Sequence, residues 1–445
     1  MRRILAFLLV FCVLIVPLPA LAAQDVAASA QDVLEKLANG EFETVFAQCD
    51  PAMREALGSA EGLADVWAQL TGMLGALETV QASDAGAQGE FRLAAAQCAF
   101  ENADALLTLA FDAQNRLASL ALTQMQAHES GVDTDEGGYI EEEITLRAKE
   151  ADATNGLLTL PEGEGPFPAV ILVHGSGASD MDETAYANAP FRDLARGLAR
   201  LGVASIRYDK YTYAHPELCQ SADFTVDDEY TRDAVDAAAL LAEDARIGDI
   251  YLLGHSQGAM LAPRIMRALQ EELGERLRGG VLLAGSPLHL WEIQYHQNLD
   301  VLSALSGEAL EENRALVEAE AAKAAALAAL PDEELLDETL FGLSAYYQAD
   351  EMSVDAAQTA VELGLPLFIA QGAKDWQVRP ADGIEAWQSA LPEGFDATFR
   401  LYDDMNHMLA DMAGEATGTA TDYISAGAHV SEALIEDIAA WIGAR

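Results

Sequence analysis

Tyr251-Leu252-Leu253-Gly254-His255-Ser256-Gln257-Gly258-Ala259-Met260-Leu261 decides the reading of most of this chain. Three apolar residues of strand character run into Gly-His-Ser-Gln-Gly, and a helical pattern, Ala259 to Leu269, follows at once. A serine with glycine two positions before and two after it, between a strand and a helix, has the pattern of a nucleophile elbow. The backbone at such a serine is strained and crowded, so the flanking positions must be nearly free of side chain. A serine held there stands clear of the sheet at a helix N-terminus, whose dipole favours a developing anion. Ser256 is therefore the candidate nucleophile, and the backbone N–H of Gln257 is the first candidate oxyanion donor.

Outward from the elbow, strand and helix alternate. Ala169 to Val173, Val203 to Tyr208, Ile250 to Leu253, Gly280 to Ala284, Leu367 to Ala370 and Phe399 to Tyr402 are short apolar runs. Helical stretches such as Phe191 to Leu201 and Tyr230 to Ala242 lie between them. This alternation predicts an α/β fold, a largely parallel sheet covered on both faces. Glu141 to Leu146 and Leu157 to Leu160 predict an antiparallel opening pair at one edge. Residues 287–352 are rich in Ala, Glu and Leu without strand-like runs, and predict a helical lid insert.

A neutral hydroxyl needs a base. Of eight histidines, His128 belongs to an earlier region, His174 and His255 lie beside proposed backbone functions, and His215, His289 and His296 precede any acid position. His407 follows the last predicted strand and precedes the final helix, which completes the chain order Ser, Asp, His. His429 is the alternative, at the start of that helix. The acid is expected after the strand Leu367 to Ala370, where Asp375 falls at the carboxyl end of a parallel strand; Asp382 and Asp404 are the fallbacks. The loop His174-Gly175-Ser176-Gly177 follows another strand, and its glycines let the backbone approach a substrate carbonyl. Ser176 is the second candidate oxyanion donor, although the same glycines also suit a plain tight turn.

The start of the chain reads differently. Met1-Arg2-Arg3, the apolar run Ile4 to Val16 and the small residues ending at Ala23 predict a signal peptide over residues 1–23, hence an exported protein with no stable membrane insertion after cleavage. Residues 24–130 predict a small α+β domain: helices over Ala27 to Leu37, Phe42 to Phe46 and Gly62 to Leu77, then strands over Phe91 to Cys98, Ala105 to Phe111 and Leu117 to Leu122. Ser130 to Gly138 is polar and glycine-containing and marks the boundary, so the second domain spans 139–445. Asp plus Glu number 73 against 25 Lys plus Arg, a net charge of −48 that repels nucleic acid. Cys49 and Cys98 are the available pair in an oxidising compartment, with Cys219 single. No Cys-x-x-Cys pair exists, which excludes a thiolate zinc site.

The elbow, His174-Gly175-Ser176-Gly177 with Asp182-Glu183-Thr184, and Arg207-Tyr208-Asp209-Lys210 together resemble the α/β-hydrolase superfamily across Tyr139 to Arg445. They are similar to a bacterial branch of secreted esterases related to dienelactone hydrolases and acyl-peptidase-like enzymes, and residues 24–128 resemble the small α+β domain that members carry ahead of the hydrolase. Gln257 departs from the apolar residue common there. The resemblance implies a serine esterase for small or short-chain acyl esters, without cofactor or metal. It also leaves a peptidase reading open, and fold alone leaves a non-enzymatic envelope or polymer-binding protein open. Trp291, Tyr295, Tyr346 and Tyr347 in the insert are candidate pocket walls. Oligomeric state is not written in the chain.

Overall fold

The structure is a computed structural model that describes residues 26–445 except 89–90, 102, 128–136, 187, 303–307, 328–329, 419 and 424–428. The signal-peptide reading and most of the 130–138 boundary lie outside the described residues. The chain divides into two compact units, Met1–Asp135 with Ala185–Ala187, and Glu136–Thr184 with Asn188–Arg445.

The first unit runs α1 (Val26–Ala38), α2 (Phe42–Gln48), α3 (Pro51–Leu57), α4 (Ala60–Leu74) and then β1 (Leu77–Gln88), β2 (Phe91–Phe100), β3 (Ala103–Phe111) and β4 (Leu117–Ala127). The strands form an antiparallel meander in chain order. Val26, Ala30, Val33, Leu34 and Leu37 make one buried stripe on α1 at helical spacing. Three elements depart from the sequence expectation. The helix over Gly62 to Leu77 ends at Leu74, because Gly75 caps it at φ 81° and the chain turns into β1. β1 is a polar edge strand, Leu-Glu-Thr-Val-Gln-Ala-Ser-Asp-Ala-Gly-Ala-Gln, with no apolar run to reveal it. The short α3 was also not expected, although Asp50 caps it by accepting from Met53 N at 2.7 Å and Pro51 opens it.

Cys49 and Cys98, the pair the sequence leaves available, are both free thiols. Cys49 bridges to Leu117 at the start of β4, whereas Cys98 lies on β2 opposite Ala105, which in turn faces Met125 near the end of β4. Three strand spacings and most of a strand length separate them, well beyond disulfide reach. Burial pushes the two thiols up to about 11 and about 12.

The second unit opens with β5 (Tyr139–Leu146), β6 (Thr154–Pro161) and β7 (Phe167–Val173), then α5 (Pro190–Arg200), β8 (Ala204–Tyr208), α6 (Tyr211–Ala214), α7 (Arg232–Glu243), β9 (Ile247–His255), α8 (Gln257–Leu273) and β10 (Leu277–Leu283). Among the described residues, eight strands form its sheet in the order β14-β13-β10-β9-β7-β8-β6-β5, with β13 (Leu367–Gly372) and β14 (Ala397–Tyr402) at the far edge. The pairs from β14 to β8 are parallel, while β6 and β5 run antiparallel, as the two edge runs predicted. Central strands are covered on both faces: Ala169, Val170, Ile171 and Leu172 of β7 are all 0% exposed. Leu→Ala changes in such strands cost about 2–5 kcal/mol. Helices α7 and α8 cover one face, α5 and α15 (Glu432–Gly443) the other.

Between β10 and β13 lies the insert: α9 (Leu290–Leu302), α10 (Glu308–Leu327), α11 (Asp332–Leu335), α12 (Ala345–Met352) and α13 (Ala356–Leu363), with α14 (Ile384–Ala390) following β13. The expectation of helices without strands needs one correction. β11 (Thr339–Leu340) and β12 (Leu343–Ser344) form a hairpin whose turn residues, Phe341 and Gly342, both have positive φ, 49° and 81°. Two-residue strands are too short to show alternation. No described helix is long and apolar enough to cross a membrane.

Candidate active site

Parallel strands end together, so loops after β7, β9, β13 and β14 converge at one edge of the sheet. Ser256 follows β9 directly at φ 51° and ψ −118°, outside the usual regions for a residue with a side chain. Its two glycines are required by space. A Cβ on Gly254 would stand 2.4 Å from the Gly258 carbonyl oxygen, and one on Gly258 would stand 2.3 Å from that of Val173. Ser256 N–H donates to Leu283 O at 2.8 Å, which ties the strained turn to β10.

His407, from the loop after β14, places Nε2 3.0 Å from Ser256 Oγ and Nδ1 2.8 Å from Asp375 Oδ2. Asp375 lies in the loop after β13, its side chain fully buried. Its Oδ1 accepts from Gln377 N (3.0 Å) and Val378 N (2.9 Å), so the backbone holds one oxygen and turns the other to the imidazole. That carboxylate keeps the proton on Nδ1 and leaves Nε2 as acceptor for the serine proton. The fallback residues go elsewhere. Asp382 pairs with Arg379 and His296, Asp404 is exposed beside Lys374, and His429 is exposed beside Asp193.

Gln257 opens α8, so its N–H is one of the helix-start amides without an acceptor in the helix. Gly175 lies against Ser256: a Cβ there would stand 3.1 Å from Ser256 Cβ and 3.6 Å from its Oγ. The N–H of Gly175 is taken by Glu183 Oε1 at 2.6 Å, and Ser176 is the next amide along this exposed bend. The insert aromatics divide. Tyr347 is buried, and its hydroxyl accepts from Gln257 Nε2 at 3.1 Å. Trp291 and Tyr346 pack on the insert's own core around Leu327, Leu335 and Leu340, and Tyr295 is half-buried against His296. The described residues hold no cluster of three or more His, Cys, Asp or Glu able to bind a metal.

Sequence reasoning missed a second layer. His255 donates from Nε2 to His407 O at 2.9 Å, and its Nδ1 pairs with Glu183 Oε2 at 3.0 Å. One carboxylate thus holds both the Gly175 loop and the His407 loop. Burial opposes the charge on His255, but Glu183 outweighs it and raises the imidazole above its ordinary 6.5. Burial likewise opposes ionised Glu183, and His255, with the Gly175 N–H, lowers it below 4.5. By contrast, burial pushes His174 down to about 4, and its ring bonds Asp180 O. The motif Asp182-Glu183-Thr184 was visible in the sequence, but nothing local says that Glu183 turns inward at φ 53°.

Glu183→Gln is expected to cost about 3–5 kcal/mol near neutral pH, because it leaves a buried imidazole without its counter-charge. The raised His255 value gives stability that is complete below 6.5 and is lost as pH rises through the shifted value. The lowered Glu183 value gives stability present above 4.5 and lost as pH falls through it. The wild-type advantage in urea unfolding should therefore be greatest between these two ordinary values and shrink on both sides. An advantage that stays flat from well below 4.5 to well above 6.5 would mean the pair is not ionised.

A parallel sheet carrying a serine on a strained strand-to-helix turn, with loops after the neighbouring strands gathered round it, defines an α/β-hydrolase enzyme. Residues 166–411 match the family described as Serine aminopeptidase, S33, and residues 30–120 match a family described as Protein of unknown function (DUF3887). Esterase EstD of Thermotoga maritima is 30% identical over 413 residues, covering 92% of this chain and 93% of that protein. The chain belongs to the serine aminopeptidase S33 family of α/β-hydrolases. Similar solved structures include Est1E from Butyrivibrio proteoclasticus, 16% identical over 68% of this chain and 99% of its own, with a TM-score of 0.43. An esterase of Pyrococcus furiosus is 14% identical over 69% of this chain and 91% of its own, with a TM-score of 0.40.

Proposed function

We propose that the protein hydrolyses carboxylic esters through an acyl-enzyme on Ser256. It is a hydrolase of the carboxylesterase type, and the observation that carries the serine mechanism is the unbroken line Asp375–His407–Ser256, with contacts of 2.8 and 3.0 Å. Ser256 Oγ attacks the ester carbonyl carbon while its proton passes to His407 Nε2. The oxygen that gains the negative charge is met by the N–H groups of Gln257 and Ser176. The C–O bond to the alcohol then breaks, and the leaving alkoxide takes the proton from Nε2. A water molecule repeats the sequence: its proton goes to Nε2, its oxygen to the acyl carbon, and the acid departs as Ser256 recovers its proton. Asp375 stabilises the imidazolium in both halves.

Small or short-chain acyl groups are the proposed substrates, and Tyr347 is the insert aromatic whose position supports a role beside the nucleophile. The basic, apolar and small residues of the first 23 positions support export. A peptidase reading draws support from the family description. The test is to label the full-length purified protein with a fluorophosphonate and to compare p-nitrophenyl acetate and butyrate with aminoacyl and dipeptide p-nitroanilides. Labelling with ester kcat/KM above that for the amides is expected. Amide turnover equal to or above ester turnover would replace the esterase with a peptidase, and neither labelling nor turnover would remove the serine mechanism.

A further inference from the structure

The Arg207-Tyr208-Asp209-Lys210 motif has no part in the chemistry above, yet its last residue is buried beside the site, its side chain 1% exposed. Lys210 follows β8, and its Nζ donates to Gly175 O at 2.8 Å and Gly177 O at 2.9 Å. The same nitrogen lies 2.7 Å from Tyr230 Oη and 2.6 Å from Glu229 Oε1. Glu229 and Tyr230 come from a π-helical turn, Asp227–Thr231, that feeds α7; such turns recur at functional sites. Tyr230 Oη in turn lies 3.0 Å from Gly175 O and 3.0 Å from Gln257 Oε1, and Gln257 Nε2 reaches Tyr347.

Burying an ammonium costs several kcal/mol unless it is well compensated. Here its donors are all spent on loop carbonyls, the tyrosine and the glutamate, with none left to bind a substrate directly. They hold the peptide planes that begin at Gly175 and Gly177, and on the first of these Tyr230 joins the lysine. In a trans peptide the C=O of residue 175 and the N–H of residue 176 point in opposite directions. A carbonyl drawn down onto Lys210 and Tyr230 therefore turns the Ser176 N–H the other way, away from the core. The Gly175 N–H is already spent on Glu183, so Ser176 is left as the free amide at the point where the loop touches Ser256. A cation on the carbonyl also polarises the amide and strengthens its N–H as a donor.

We infer that Lys210, with Tyr230, is the positioning group of the oxyanion hole: it sets the Gly175–Ser176 peptide so that Ser176 N–H receives the transition-state charge, and through Tyr230 and Gln257 it couples the two donors. The inference rests on the serine-esterase reading. It also gives a reason for glutamine at 257, whose amide side chain bridges Tyr230 and Tyr347 where an apolar residue could not.

The experiment compares wild type, Lys210→Met and Tyr230→Phe by steady-state hydrolysis of p-nitrophenyl acetate and by inhibition with benzeneboronic acid, whose tetrahedral serine adduct places an oxygen in the hole. Lys210→Met is expected to lower kcat by about 100-fold, the effect of losing one oxyanion donor, with KM unchanged and boronate affinity falling in step. Tyr230→Phe should lower kcat by about 5- to 10-fold in the same pattern, and it carries the test should the lysine variant fail to fold. Folded variants with wild-type kcat, or with a higher KM and intact boronate affinity, would overturn the inference. Absence of fluorophosphonate labelling in the wild type would instead strike the reading beneath it.

Discussion

Ser256→Ala should lose about 10⁶-fold in kcat for p-nitrophenyl acetate and all fluorophosphonate labelling, with unfolding unchanged. The magnitude follows from the proposed covalent route: without Oγ no acyl-enzyme can form, and His407 has no hydroxyl to deprotonate. The fold should tolerate the change, since alanine keeps the Cβ that the turn already accommodates and the Ser256 N–H still reaches Leu283 O. A residue of about 10³- to 10⁴-fold over water is expected from the oxyanion donors and binding alone. Retention of even a tenth of wild-type turnover after rigorous purification would remove Ser256 from the reaction.

The second large effect comes from a change that keeps the shape of the site. Asp375→Asn is expected to lower kcat by about 10⁴-fold with little effect on KM. Gln377 N and Val378 N both donate to Oδ1, so an asparagine there keeps its carbonyl oxygen on them and presents its NH2 where Oδ2 stood. That NH2 would face His407 Nδ1, 2.8 Å away in the wild type, and would force Nδ1 to accept. The imidazole proton then moves to Nε2, which can no longer take the proton of Ser256. The new NH2 also meets Gln371 Nε2, another donor, at the 3.3 Å now spanned by a hydrogen bond, so a modest loss of stability should accompany the kinetic effect. Turnover measured from pH 6 to 9, beside urea unfolding, separates the two; a variant within 10-fold of wild type would assign the orienting role elsewhere.

Local patterns account for the part of the fold legible in the sequence. The alternation of apolar runs and helices located every strand of the large sheet and its antiparallel edge: burial on two faces marks the central strands, and the partly covered edge strands β5 and β14 still carry enough apolar residues to be seen. The polar strand β1 and the β11–β12 hairpin left no such mark and were missed. Cys49 and Cys98 sit in one small domain, but Cys49 lies after α2 against the start of β4 while Cys98 lies on β2 level with the far end of β4, which spacing cannot express. Trp291 and Tyr346 share a helical insert with Tyr347, yet only Tyr347 reaches Gln257, because helix rotation decides which aromatic faces the elbow.

The sequence by itself determined the fold class and the candidates Ser256, Asp375 and His407, since the elbow needs particular residues at particular spacing and the other two follow strand ends in order. Tertiary structure alone decided what surrounds them. Glu183, Lys210, His255 and Tyr230 come from separate segments, and their roles arise from hydrogen bonds across the closed sheet edge. A charge buried at that edge is stable only where its partners meet, and no single segment carries that information.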